Sequence, residues 1–282
     1  MLKHLMASAA ILGAAFTATL GALPAIAMAT EPPAWRVLEF EEKAFWATAH
    51  SRLELPTASQ QTNDWEFIAN SSVPGNSEQV SLRFDADSGQ LHTRERLSKG
   101  KEDQRLKSFD YEKDFVLRER RSPQENTQAA PPQWPLDSRK QLPYPPAASK
   151  LPVTNPYLLL LLAGRLQAQG PGASLEVLVH TDHNFYRARL TSGNGVPVEA
   201  NYSIAGETPT RGTRETNAVA VRVTPEGALA EKDDFSLFGL TGDIIVLFDR
   251  HTGLPLQVRG EAPRIGSTRI NLKSATLRVP AS

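Results

Sequence analysis

Four stretches of this 282-residue sequence hold residue types that chemistry uses. The first is His180-Thr181-Asp182-His183-Asn184. Neutral imidazole and carboxylate are zinc ligands. A single turn with no second ligand pair nearby reads instead as a polar loop. The second is the set of acids Asp233, Asp234 and Asp243. Glycosidases need two carboxylates facing each other, but spacing along the chain does not show that these meet. The third, Asp85-Ala86-Asp87-Ser88-Gly89, resembles the opening of a calcium loop. It lacks the later acidic ligand and the flanking helices, so it is expected to be a turn. The fourth runs from Arg94 to Arg121, where ten Lys and Arg residues interleave with acids. The expectation is a long, solvated hairpin whose like charges discourage edge-to-edge pairing. A basic face for phosphate-bearing envelope molecules is the alternative.

Several chemistries are missing. The chain has no G-x-S-x-G, H-E-x-x-H, Walker or dinucleotide-binding pattern. It has no cysteine, which excludes thiol chemistry, disulfides and a lipobox. The formal net charge of +0 gives no whole-chain reason to bind nucleic acid. No catalytic residue, cofactor or metal site is assigned.

Residues 1–29 read as a cleaved secretory signal. Lys3 and His4 precede an apolar stretch, Pro24 breaks it, and Ala25-Ile26-Ala27 and Ala27-Met28-Ala29 are A-x-A patterns. Cleavage is expected after Ala29. A cysteine-free secreted chain of this size fits the bacterial periplasm.

The elements that must position these groups are mostly strands. Trp35–Phe40, Trp65–Ala69 and Val80–Phe84 have strand composition, and Glu41–Leu55 suits either a helix or a strand. Residues 30–121 form an N-terminal half of β-hairpins. Residues 122–153 are rich in proline, glutamine and alanine and read as a crossing without a sheet or helix of its own, pinned by Trp134 and Tyr144. Residues 154–282 hold a helix and a β-meander, and 30–282 read as one domain. The helix starts at Thr154-Asn155-Pro156, where Thr or Asn caps and Pro suits the first turn. Its five adjacent leucines, Leu158–Leu162, are apolar on every side and must be covered all round.

In the meander, Ile244–Phe248 is a continuous apolar strand. Leu254, Leu256 and Val258 share one face of the next strand. A turn is expected across Gly260–Gly266, and another at Ser192–Gly195. In the last strand Ile270 and Leu272 are out of phase with Ala275, Leu277 and Val279, which predicts a bulge near Lys273-Ser274. Phe84-Asp85-x-x-Ser88-Gly89 and Phe248-Asp249-x-x-Thr252-Gly253 predict the same hairpin in both halves.

Asn155-Pro156 with the leucine helix, the strand carrying Tyr186, Asp249 to Arg259, and Ile270-Asn271-Leu272 together resemble a family of bacterial periplasmic proteins of unknown function. The resemblance covers roughly 150–279. The longer Asp249–Gly253 loop and the proline-rich insertion depart from its spacing. It implies an antiparallel, lipocalin-like or half-barrel sheet and carries over no catalytic residue.

The fold expected is mainly β: an antiparallel curved sheet or incomplete barrel with one buried apolar helix. The function expected is non-enzymatic binding of a lipid, another amphiphile or a peptide on the concave face, with Phe84, Leu91, Phe248, Leu256, Ile270 and Leu272 lining it. A peripheral membrane contact or an envelope protein partner fits the same reading. The alternatives are a periplasmic hydrolase with a carboxylate pair and a structural subunit of an envelope complex.

Overall fold

The computed structural model describes residues 32–44, 47–56, 63–101, 103–125, 127–230, 232–263 and 265–278. The expected signal segment, Phe45, Trp46 and Val279 lie outside the described residues.

The N-terminal half is a continuous antiparallel meander. Its strands are β1 (Trp35–Ala44), β2 (Ala47–Glu54), β3 (Asp64–Val73), β4 (Asn76–Asp85), β5 (Leu91–Lys99), β6 (Gln104–Tyr111), β7 (Phe115–Arg121) and β8 (Leu136–Pro143). The second half contains β9 (Val153–Thr154), helix α1 (Leu158–Gln167), β10 (Ser174–His180), β11 (Phe185–Asn194), β12 (Val198–Ile204), β13 (Thr210–Arg214), β14 (Thr216–Pro225), β15 (Thr241–Asp249), β16 (Pro255–Ala262) and β17 (Gly266–Leu277). Here β10, β11, β14, β15, β16 and β17 are successive antiparallel neighbours.

β17 then pairs with β1 and joins the halves into one sheet. Between them Glu39 faces Ser274 and Phe40 faces Leu272, so Lys273 is the extra residue of a bulge. That is the phase slip expected from the sequence, and a bulge bends the strand that carries it. β9 lies parallel to β10, and the β12–β13 hairpin meets β17 through a short parallel pairing. Among the described residues no ladder joins β8 to β9, so the sheet curves without closing into a barrel.

Three expectations are corrected. Residues 94–121 are not one hairpin but three strands, β5, β6 and β7. The proline-rich crossing supplies an edge strand, β8, which among the described residues pairs only with β7, so Pro143 at its end breaks no inner ladder. β16 runs through Gly260 to Ala262, and β11 continues to Asn194, which shortens both expected turns. Of the ambiguous Glu41–Leu55 stretch, Glu41–Ala44 and Ala47–Glu54 are strand.

Helix α1 lies inside the curve and packs on β11, β14 and β15. Asn155 Oδ1 accepts the Tyr157 amide at 3.0 Å, and Gly170 takes the positive φ beyond the last turn. Ten residues are too few for a stable helix in water. Burial on all sides holds this one, each leucine contributing roughly 1.5–3 kcal/mol over exposure. Leu158 to Ala163 and Leu166 are all buried.

The two matching hairpin turns both reach this helix. In each, the glycine amide donates to the carbonyl of the leading aspartate at 2.9 Å, and that aspartate's Oδ1 accepts the amide of Ser88 or Thr252. A Cβ on Gly89 would lie 3.2 Å from Leu162, and one on Gly253 would lie 3.6 Å from Gln167.

Candidate functional site

The unclosed edge of the sheet is bridged by side chains. Along β3 and β4 the inner face is apolar: Phe67, Ala69, Val80 and Leu82. Across the ladder, Leu82 pairs with Arg94 and Val80 with Arg96, and next come Phe109 and Lys107, then Arg118 opposite Phe109. The inner face therefore turns cationic from β5 to β7. The β10–β11 turn inserts Asp182 into it. Asp182 Oδ1 accepts from Arg94 Nη2 at 3.0 Å, and Oδ2 accepts from Arg96 Nη1 and Lys107 Nζ at 2.5 Å each. Arg94 also donates to the carbonyls of His180 and Thr181, and Arg118 to that of Asp182. The Arg94 guanidinium lies 3.7 Å from the centre of the Phe109 ring.

Burial alone would push the Asp182 carboxyl up, but Arg94, Arg96 and Lys107 together hold it below the usual carboxylate range. A carboxylate kept ionised in this way is no general acid near neutrality. Burial, with Arg94 beside it, holds His180 neutral well below its ordinary titration range. Its Nδ1 faces the Tyr111 hydroxyl at 3.0 Å and its ring stacks on Phe185.

Of the polar residues of this turn, expected to be ordinary loop residues, His180, Thr181, Asp182 and Asn184 are buried and His183 is half-buried, and part of the expected solvated basic face is buried with them. The signal was present in the sequence: Lys107 is in phase with Phe109 and Tyr111, so it shares their face. Zinc would have to displace the three cations on Asp182. In the Asp85–Gly89 turn, Asn63 Nδ2 donates to Asp85 Oδ2 and Asp87 Oδ2 at 2.9 Å each, where a calcium ion would need both.

Of the acids considered for catalysis, Asp233 and Asp234 do meet, on one hydroxyl. Tyr186 Oη lies 2.8 Å from Asp233 Oδ1 and 2.9 Å from Asp234 Oδ1. Asp234 also accepts from Thr181 Oγ1, Asn184 Nδ2 and the His183 amide. These bonds tie the β14–β15 loop to the β10–β11 turn. Asp243 stands exposed on β15. A polar cleft of about 340 Å³ opens here, between Glu78, Arg94, Asp182, Lys232 and Asp234. Glu78 in turn accepts from Arg96 Nε at 2.7 Å, so its anchored acids are committed to neighbours.

A different cleft runs along α1. It measures about 600 Å³ and lies between the segment Pro32–Trp35, the helix and the Thr252-Gly253 turn. Leu160, Leu161, Gly164 and Ala168 give it an apolar wall, and Trp35 faces them. Leu160, Gly164 and Ala168 recur every fourth residue, so they stack on one helix face. Arg165 stands at its border. Its Nη1 donates to the carbonyl of Ala86, and its guanidinium lies 5.1 Å from the Trp65 ring centre. Its Nε and Nη2 are buried without a hydrogen-bond partner among the described residues.

The six residues expected to line a ligand site, Phe84, Leu91, Phe248, Leu256, Ile270 and Leu272, are all buried in one core cluster. The cleft beside α1 is lined by others, though Phe248 backs it: a Cβ on Gly164 would lie 3.6 Å from that ring. Sequence reading marked the helix as buried on every side and so gave no face to the cleft.

No family model matches the sequence, and no curated protein matches it. Among solved structures, the chain is similar to a crystal structure of a beta-barrel-like protein of domain of unknown function DUF1849 from Brucella abortus. The identity is 11% and the TM-score 0.47, covering 87% of this chain and 100% of that one.

Proposed function

We propose that this chain is a non-enzymatic binding protein of the bacterial periplasm that holds an apolar or amphiphilic ligand in the cleft beside α1. One observation carries the reading: a cleft of about 600 Å³ with a leucine, glycine and alanine wall beside the buried helix. Small-molecule sites commonly enclose about 300–1,000 Å³, mostly apolar with a few polar groups. Gly164 matters to this reading because a larger residue would project from the middle of that wall. The periplasmic location rests on residues 1–29 alone, read as a cleaved signal, and on the absence of cysteine.

Native mass spectrometry of protein purified from its own cells tests the proposal. A bound mass in the range of an acyl-chain amphiphile, lost in Gly164→Phe, is the expected result. A ligand-free mass accompanied by a stable protein partner would replace this reading with that of a structural subunit.

A further inference from the structure

We infer that the groove where β12, β16 and β17 meet binds an anionic saccharide, and that Arg259 and Arg269 receive its carboxylate or phosphate. The groove measures about 1000 Å³ and shares no lining residue with the cleft beside α1, so it is a second site, independent of the function proposed above.

The argument begins with a like-charge pair. Val258 and Ile270 are buried in the core, so Gln257, Arg259, Arg269 and Asn271 project from the opposite face of β16 and β17. There Arg259 stands directly across the ladder from Arg269. Like charges so placed destabilise a strand pair. Among the described residues neither guanidinium forms an ion pair, and all four of these side chains line the groove. Arg259 is held by a neutral group instead. Gln257 Oε1 accepts from its Nε at 2.5 Å, and Gln257 Nε2 donates to Asn271 Oδ1 at 2.7 Å. Arginine can only donate, which fixes both amides in this orientation. Gln257 is only 4% exposed. A buried amide is thus committed to aiming one guanidinium by its Nε. Its terminal nitrogens, Nη1 and Nη2, form no hydrogen bond among the described residues. Two such donors side by side match two oxygens of a carboxylate or phosphate.

The second observation is the rest of the wall. Lys273, the extra residue of the bulge opposite β1, brings a third cation to the groove. Bulges re-aim side chains in this way beside functional sites. Only Pro197, Val198 and Leu272 of the wall are apolar, so an acyl chain would find little to bury against. Asn201 and Ser267 offer an amide and a hydroxyl. Glu41 and Glu199 offer carboxylate oxygens, which accept from hydroxyls as Glu199 does from Thr213 Oγ1. A hydroxyl-rich body with an acidic substituent answers both parts of the wall. A neutral sugar would leave the arginine pair unrelieved, and a bare inorganic anion would leave the amides and carboxylates unused.

The test is calorimetric titration of the intact protein with trigalacturonate, mannose 6-phosphate, maltotriose and inorganic phosphate. Wild type, Arg269→Gln, Gln257→Glu and Gly164→Phe are compared, each checked for an unchanged circular dichroism spectrum. The wild type should bind one or both anionic sugars about ten-fold more tightly than maltotriose or inorganic phosphate, as charge-assisted hydrogen bonds provide. The tighter of the two identifies the acidic group. Arg269→Gln should abolish that preference while its unfolding midpoint stays level or rises, because a like-charge pair is removed. An arginine with a merely structural role would lower the midpoint instead. Gln257→Glu keeps the shape of the side chain but gives Arg259 a resident carboxylate, and it should also abolish the preference. Gly164→Phe should bind the anionic sugars as wild type does, which separates this site from the cleft beside α1. If maltotriose or inorganic phosphate matches the anionic sugars, if no sugar binds, or if Arg269→Gln and Gln257→Glu keep the preference, the inference falls while the proposed function stands.

Discussion

Arg94 on β5 and Asp182 in the β10–β11 turn, 88 residues apart in sequence, form a buried ion pair at 3.0 Å. Among the described residues no ladder pairs β5 directly with β10 or β11. The open barrel is therefore fastened by charge across the gap, with Arg96, Lys107 and Arg118 completing the fastening.

Removing the carboxylate leaves three buried or half-buried cations facing one another. Asp182→Asn should lower stability by about 3–5 kcal/mol, as expected when one partner of a buried pair is lost. Chemical denaturation measures it. The pH dependence has a definite sign. The Asp182 carboxyl is held below its unfolded value of ~3.9. Its stabilisation is complete above that value and lost as pH falls below it. Wild type should lose stability on acidification below about pH 4 more steeply than Asp182→Asn does.

His180 governs a separate window. Its folded form resists protonation, because burial and Arg94 both oppose the charge. The unfolded chain binds that proton below a pH of ~6.5, so native stability declines as pH falls from there. His180→Phe, which keeps an aromatic ring against Phe109 and Phe185, should flatten denaturation midpoints measured between about pH 6.5 and pH 5. An unchanged slope would mean that His180 is not the titrating group.

Gly195 sits where β11 meets β14. A Cβ there would fall 2.1 Å from Thr216 Oγ1 and 2.8 Å from the Thr216 carbonyl. That hydroxyl already bonds the Val196 carbonyl, so it is not free to swing away. Gly195→Ala should cost about 1–3 kcal/mol, the usual range for overpacking, read as a lowered unfolding midpoint.

Gly164 separates fold from function. A methyl at this position meets only Phe248, at an ordinary 3.6 Å. Replacing a helical glycine with alanine gains up to about 1 kcal/mol. Gly164→Ala should therefore be as stable as wild type or more stable, while its narrower cleft binds acyl chains more weakly. Thermal unfolding with parallel dodecanol titration reads both. A variant more stable and equally good at binding would show that the cleft is not the site.

Much of the fold was legible because period two is a physical signal. The phase slip between Leu272 and Ala275 placed the bulge at Lys273, and two short turn patterns foretold two turns with the same hydrogen bonds. The cationic seam was harder to read. Arginines and lysines alternate on exposed strands too, so their type does not reveal which face is buried. Only the phase of Lys107 with Phe109 and Tyr111 did, and Asp182 lies too far along the chain to be paired by inspection. β8 was hidden because prolines at an edge cost little, and there composition misleads. The cleft was least legible: a helix apolar all round gives no sign of which face a partner leaves open.

If an apolar chain lies against Leu160, Leu161 and Gly164, a crystal structure with a terminally brominated dodecanoate will locate it there. An anomalous bromine peak in the cleft between α1 and Trp35 is the expected result. A peak on the outer sheet surface, or in the polar cleft beside Asp182, would contradict it.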